Sequence, residues 1–192
     1  MTDYMIDVET LSKRVDATIL SIAAVRFDPR GGVRVDIPDE DIFTTKINLN
    51  QDRHIDPDTL TWWLGQSEAA RDEVFGGIST LRVSLSNLSK FLLDYNRGDL
   101  KVWAQGANSF DIPILEHAYT QVGFSVPWKY YNVRDTRTVY DLAGDNRRLA
   151  DVSHVAWKDA AQQCCRVQEN VQKLLSASQR EQETLDEWLA TH

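Results

Sequence analysis

The chain begins with a short β-like run, Tyr4, Met5, Ile6, Asp7 and Val8. Residues 18–27, within ATILSIAAVRF, are nearly all apolar, as in a strand buried on both faces. Asp28-Pro29-Arg30-Gly31-Gly32 is a turn cluster. Beyond it, Phe43, Thr45, Ile47 and Leu49 alternate with Thr44, Lys46 and Asn48, the pattern of a half-buried strand. Three strands in close succession, joined by turn-rich segments, predict an antiparallel meander.

The period then changes. Pro57 and Asp58 open a short helix through Thr59 to Leu64. Leu81, Leu85, Leu88, Leu92 and Tyr95 recur at helical spacing with Phe91 on the same side, and Asn96-Arg97-Gly98 ends that helix. Leu100–Ala104 is a fourth strand, 111–122 a helix, Lys129–Val133 a fifth strand and Thr136–Ala143 a short helix. A long helix begins near Val152–His154, is weakened at Ser176-Ala177-Ser178, and ends in an amphipathic turn or two with Leu185, Trp188 and Leu189. Strands first, then strands alternating with helices, predict an α/β fold: a mixed sheet with helices on its faces.

Composition narrows the class. With 192 residues, 42% of them hydrophobic, the chain suits one globular domain without repeat or linker. No apolar run is long enough to span a membrane, and MTDYMIDVET lacks the basic start of a signal peptide. The two cysteines, Cys164 and Cys165, are neighbours, which excludes a disulfide scaffold and favours a reducing compartment. They read as helix packing rather than as a nucleophile. The net charge of −8 argues against broad wrapping of nucleic acid, but not against an enzyme whose carboxylates are offset by cations.

Three polar features interrupt the apolar pattern. Asp7-Val8-Glu9 places two carboxylates on one face of a strand, an expensive arrangement unless they hold a divalent cation or lie in water at a strand end. An oxygen-only donor set favours Mg²⁺ or Mn²⁺ over zinc. Asn108-Ser109-Phe110-Asp111 follows the fourth strand, where ligands gather in open α/β sheets, although Ser109 or Asp111 could simply cap the next helix. His154 opens the long helix and Asp159 lies about one and a half turns into it. A histidine there can take a proton from water, or can merely cap.

Taken together, Asp-x-Glu on the first strand, Asn-x-x-Phe-Asp after the fourth and His-x4-Asp on a late helix resemble the DEDD superfamily of 3′→5′ exonucleases. The histidine spacing marks its DEDDh branch, with the proofreading epsilon subunit, oligoribonuclease and ribonuclease T. MIDVET, ATILSIAAVRFDP and DPDTLTWWLGQSEAAR narrow the resemblance to phage DexA-type exonucleases and related bacterial and actinobacterial exoribonucleases, over Tyr4 to about Leu175. The resemblance implies a ribonuclease H-like fold, five strands with three antiparallel ones first, flanked by helices. It implies a single exonuclease domain over 1–192, with 176–192 as a C-terminal helical extension.

It also implies hydrolysis from a 3′ end to nucleoside 5′-monophosphates, with two Mg²⁺ or Mn²⁺ per site. Asp7 would bridge both cations, Glu9 and Asp159 would complete one site, Asp111 would serve the other, and His154 would be the general base. Four carboxylates at about −4 and two cations at about +4 leave such a site near neutral. Thr10 and Asn108 would meet the terminal nucleotide, and Phe110 could pack beside its base or belong to the core. Arg147 and Arg148, in a late cluster with Arg134 and Arg137, could steer the phosphate backbone or be a solvated loop. Asp135-Thr136 resembles a structural pair of the family. Of Trp62 and Trp63, one is expected in the core and one partly exposed.

The expected partner is a single-stranded DNA or RNA 3′ end, with a slight lean to DNA from the phage likeness. A homodimer through Trp62–Trp63 or the last helix is a further expectation, as is a cytoplasmic location, the host's if the chain is phage-encoded. A glycosidase-like use of paired carboxylates is disfavoured by the ordered set with its histidine. A non-catalytic binding module is disfavoured by the intact acids and the acidic charge. The residual negative charge predicts a weak, salt-sensitive grip beyond the last few nucleotides, hence a distributive trimmer.

Overall fold

The structure is a computed structural model, and it describes residues 2–95, 99–147 and 154–191. Five strands form one sheet: β1 (Asp3–Thr10), β2 (Ile19–Phe27), β3 (Ile42–Lys46), β4 (Val102–Ala104) and β5 (Val133–Asp135). Their spatial order is β3-β2-β1-β4-β5. The first three are antiparallel, as the meander predicts, and β4 and β5 run parallel to β1. The helices are α1 (Pro57–Leu64), α2 (Glu68–Val74), α3 (Leu81–Asp94), α4 (Asp111–Gln121), α5 (Thr136–Leu142) and α6 (Ala156–Thr191).

The alternation of β1 sorts the molecule into two layers. Tyr4, Ile6 and Val8 face α3 and α4, packing with Leu85, Leu88, Leu92, Leu115 and Ala118. Met5 faces the other way, with Val25, Phe27 and Trp103, against Tyr140 of α5 and Ala160, Cys164 and Val167 of α6. Asp7 and Glu9 continue the Met5 side, so the α6-facing side of β1 turns from apolar to acidic over four residues. The cross-strand partners of Asp7 and Glu9 are Ala23 and Ser21, small residues that leave room above the sheet. A register shift between Glu9 and Thr10 ends the regular ladder at this point.

Several expected boundaries move. The fifth strand is Val133–Asp135, not Lys129–Val133: pairing with β4 starts at Val133, and Tyr130–Asn132 coil into a 3₁₀ turn with Tyr130 in solvent. Strand three stops at Lys46, and Leu49 is exposed. Helix α2 was not expected; Ser67 caps it through Oγ, which accepts the Ala70 amide at 3.2 Å. Helix α6 starts at Ala156, and His154 precedes it with φ +53°, outside the helical region. Ser176-Ala177-Ser178 does not break α6, because that stretch holds neither glycine nor proline and its neighbours are good helix formers. Among the described residues no helix is long and apolar enough to cross a membrane.

Candidate active site

Three chain segments meet at the carboxyl end of β1. β1 brings Asp7 and Glu9 on one face, and the first turn of α6 brings Asp159, 6% exposed, over that face. One carboxylate oxygen from each of the three lies within 4.8 Å of the others. Asp111 enters from the first residue of α4, just past the parallel neighbour strand β4, and is buried. Its Oδ1 accepts the Val8 amide at 3.1 Å, which ties it to the backbone between Asp7 and Glu9. The four acids expected to act together are thus drawn to one place from residues more than 150 positions apart.

Their electrostatics follow from crowding. Burial pushes the Asp7 carboxyl well above the usual carboxylate range, and the charges of Asp111, Glu9 and Asp159 push it further; an amide from Gln163 at 2.9 Å opposes this. Burial, then Asp159 and Asp111, push Glu9 up to about 8. Burial raises Asp111 to about 7 against the pull of the Val8 amide and of Arg137. Among the described residues no ion pair to Asp7, Glu9 or Asp111 is seen. An all-oxygen set of mutually repelling carboxylates fits hard divalent cations such as Mg²⁺ or Mn²⁺.

The Phe110 side of this acidic centre opens into a cleft of about 680 Å³ lined by Glu9, Thr10, Lys13, His54, Trp62 and Phe110, among others. Trp63 is the core member of the tryptophan pair, 1% exposed, and its Nε1 donates to the Thr10 carbonyl at 2.9 Å. Trp62 is 44% exposed, and its ring meets the His154 ring edge-on at 4.8 Å between centroids. The tryptophans therefore do what their adjacency did not reveal: one anchors the end of β1 and the other seats the histidine. Thr10 and Phe110 line the cleft as expected.

Other expected contacts fall elsewhere. Asn108 is exposed and does not line the cleft. Arg147 is held by Asp145 at 2.8 Å and Glu169 at 2.7 Å, in a separate recess with Asn170 and Lys173. Arg148 lies outside the described residues. Asp135 has the structural part expected of it: its Oδ1 accepts the amides of Gly106 and Arg137. Gly106 has φ +81°, a left-handed backbone that favours glycine at this turn. Cys164 is buried, whereas Cys165 is half-buried with its Sγ donating to the Arg34 carbonyl. The basic cleft residues Lys13 and Arg14 were not anticipated, although the dipeptide stands immediately after the acidic strand. Arg14 is clamped to Asp16 by two bonds of 2.9 Å.

Comparison with known proteins agrees with this geometry. Exodeoxyribonuclease of Enterobacteria phage T4 is 29% identical over 161 residues, which is 72% of this chain and 70% of the relative. The zinc-bound form of E. coli exonuclease I with single-stranded DNA superposes on all of this chain with a TM-score of 0.61 at 14% identity, over 43% of its own length. The same enzyme in complex with an oligonucleotide gives 0.61 at 14% identity, over 85% of this chain and 39% of its own. The chain thus spans less than half the length of the E. coli enzyme, and at such identity the likeness shows a shared fold, which is ribonuclease H-like. The model of the 3′-5′ exoribonuclease Rv2179c-like domain matches residues 2–171, and the chain belongs to that family of 3′–5′ exonucleases.

Proposed function

We propose that this chain is a cation-dependent 3′→5′ exonuclease that hydrolyses single-stranded nucleic acid from its 3′ end to nucleoside 5′-monophosphates. The convergence of Asp7, Glu9 and Asp159, with one carboxylate oxygen of each within 4.8 Å of the others, carries this reading. Asp7, Glu9 and Asp159, with Asp111, would hold two divalent cations, Mg²⁺ or Mn²⁺. When bound, the cations polarise the phosphodiester and make the attacking water more acidic.

The side chains do the rest. Thr10 and Phe110 border the place of the terminal nucleotide, where an aromatic face accepts any base. Trp62 holds the His154 ring at the cleft, and a ring nitrogen of His154 takes the proton of the attacking water. The substrate is taken as DNA, in keeping with the phage T4 relative. A second reading, trimming of RNA, is favoured by the description of the family that matches 2–171.

Matched 5′-labelled DNA and RNA oligomers, incubated with purified protein and Mn²⁺, are expected to ladder from the 3′ end, with chelator abolishing the ladder. Intact oligomers of both kinds would sink the proposal, and faster laddering of RNA would decide for the second reading. His154→Ala is expected to lose about 10²–10⁴ in kcat, the usual worth of a general base, while calorimetric Mn²⁺ binding stays near wild type. Unchanged turnover in that variant would remove the assignment.

A further inference from the structure

Three buried amide side chains lie along α6: Gln163, Gln168 and Asn170, exposed 3%, 2% and 3%. Gln168 is bonded at both ends, donating to the Asp28 carbonyl at 2.9 Å and accepting the Arg34 amide at 3.2 Å. Asn170 donates to Asp145 Oδ2 at 2.7 Å and to the Arg166 carbonyl at 2.8 Å. Gln163 differs. Its Nε2 donates to Asp7 Oδ1 at 2.9 Å, while its Oε1 is buried with no hydrogen-bond partner among the described residues. The reverse orientation of the amide would set an oxygen against a carboxylate, so Asp7 fixes the orientation.

Packing does not call for a glutamine at this place. An apolar chain of the same size would fill it without stranding an acceptor. The acidic centre does call for one. Gln163 follows Asp159 by one helical turn and lies on the same face, so α6 delivers a carboxylate and, one turn on, a donor to the carboxylate opposite. A neutral amide steadies an ionised Asp7 without bringing a positive charge that would compete with a cation.

We propose that Gln163 is a positioning residue of the cation site: its amide N–H sets the carboxylate plane of Asp7, and its buried Oε1 accepts a hydrogen bond from water held there. This role rests on the cation-dependent reading given above. Outer partners of metal ligands act in this way, by orienting the ligand before the ion arrives.

The test is calorimetric titration of the whole chain with Mn²⁺, alongside thermal melts in chelator, for wild type, Gln163→Met, Gln163→Leu and Gln168→Met. Both Gln163 variants are expected to lose about 10–100-fold in Mn²⁺ affinity, with a metal-free Tm equal to or above wild type. Gln168→Met is expected to do the reverse, lowering Tm with wild-type affinity. Wild-type affinity in both Gln163 variants overturns the proposal. So does an affinity loss that merely accompanies a fall in Tm, since that assigns the residue to packing. A wild-type protein that binds no Mn²⁺ overturns the exonuclease reading itself, an outcome distinct from tight binding by every variant.

Discussion

Two groups of acids in this molecule have opposite surroundings. Asp145, just past the end of α5, receives hydrogen bonds from Arg147, Arg166 and Asn170, and its side chain is 5% exposed. Those donors, Arg147 first, hold its carboxyl far below the usual carboxylate range despite burial. Asp111 is buried and Asp7 and Glu9 are half-buried, yet they crowd together and are all raised. At the three raised acids burial is the largest cause and neighbouring carboxylates add to it at Asp7 and Glu9, whereas at Asp145 the hydrogen bonds from Arg147 and Arg166 outweigh it. A carboxylate satisfied from within is a structural clamp. A set of carboxylates that repel one another is an arrangement that a divalent cation would relieve.

Replacing one acid in each group should therefore give opposite results. Asp7→Asn is expected to cost more than the ~100-fold that marks loss of an outer partner, read as kcat/KM in the oligomer assay. It should also raise the metal-free Tm, because one repelling charge disappears. Asp145→Asn should leave kcat/KM nearly unchanged while lowering stability by about 1–3 kcal/mol, the worth of hydrogen bonds to a charged group, measured by denaturant unfolding. Equal shifts in Tm for the two variants would erase the contrast.

A smaller effect is the dependence of stability on pH. Glu9 and Asp111 have folded values of about 8 and about 7, above their ordinary 4.5 and 3.8. The folded protein holds these protons longer than the unfolded chain does. Their contribution is therefore full below pH 4 or so and is lost as pH rises through 7 and 8. Asp145 has the opposite sign: its contribution is present above its ordinary 3.8 and is lost as pH falls below it. Melts of metal-free protein should thus show Tm falling between pH 5 and 8, and saturating Mn²⁺ should flatten that slope. A flat metal-free profile would contradict the raised acids.

The fold was largely readable because its signals are local. The apolar run ending at Phe27 and the leucines of α3 carry their own period, and Pro57 announces α1, although its cap is Asp56, which accepts the Thr59 amide at 3.1 Å. Helix α2, seven residues long, offers too few apolar positions to show a period. The acids at 7, 9, 111 and 159 were readable as an ordered set, yet their crowding is a property of the packed sheet. What stayed hidden depends on distant pairs. The capture of Arg147 needs Glu169, and the seating of His154 on Trp62 joins positions 92 apart in the chain. Nothing near Gln163 in sequence distinguishes it from Gln162. Only the turn of α6 over β1 does.

The hydrogen bond from Val8 to Asp111 spans 103 positions, and that from Gln163 to Asp7 spans 156. Contacts so far apart in the chain close late, because the entropy of the intervening loop must be overcome first. A chain still emerging during synthesis has β1 and its two acids from the start, but neither Asp159 nor Gln163 to complete them. Partly folded and truncated forms therefore lack the cluster of acids, which comes together only in the finished tertiary structure.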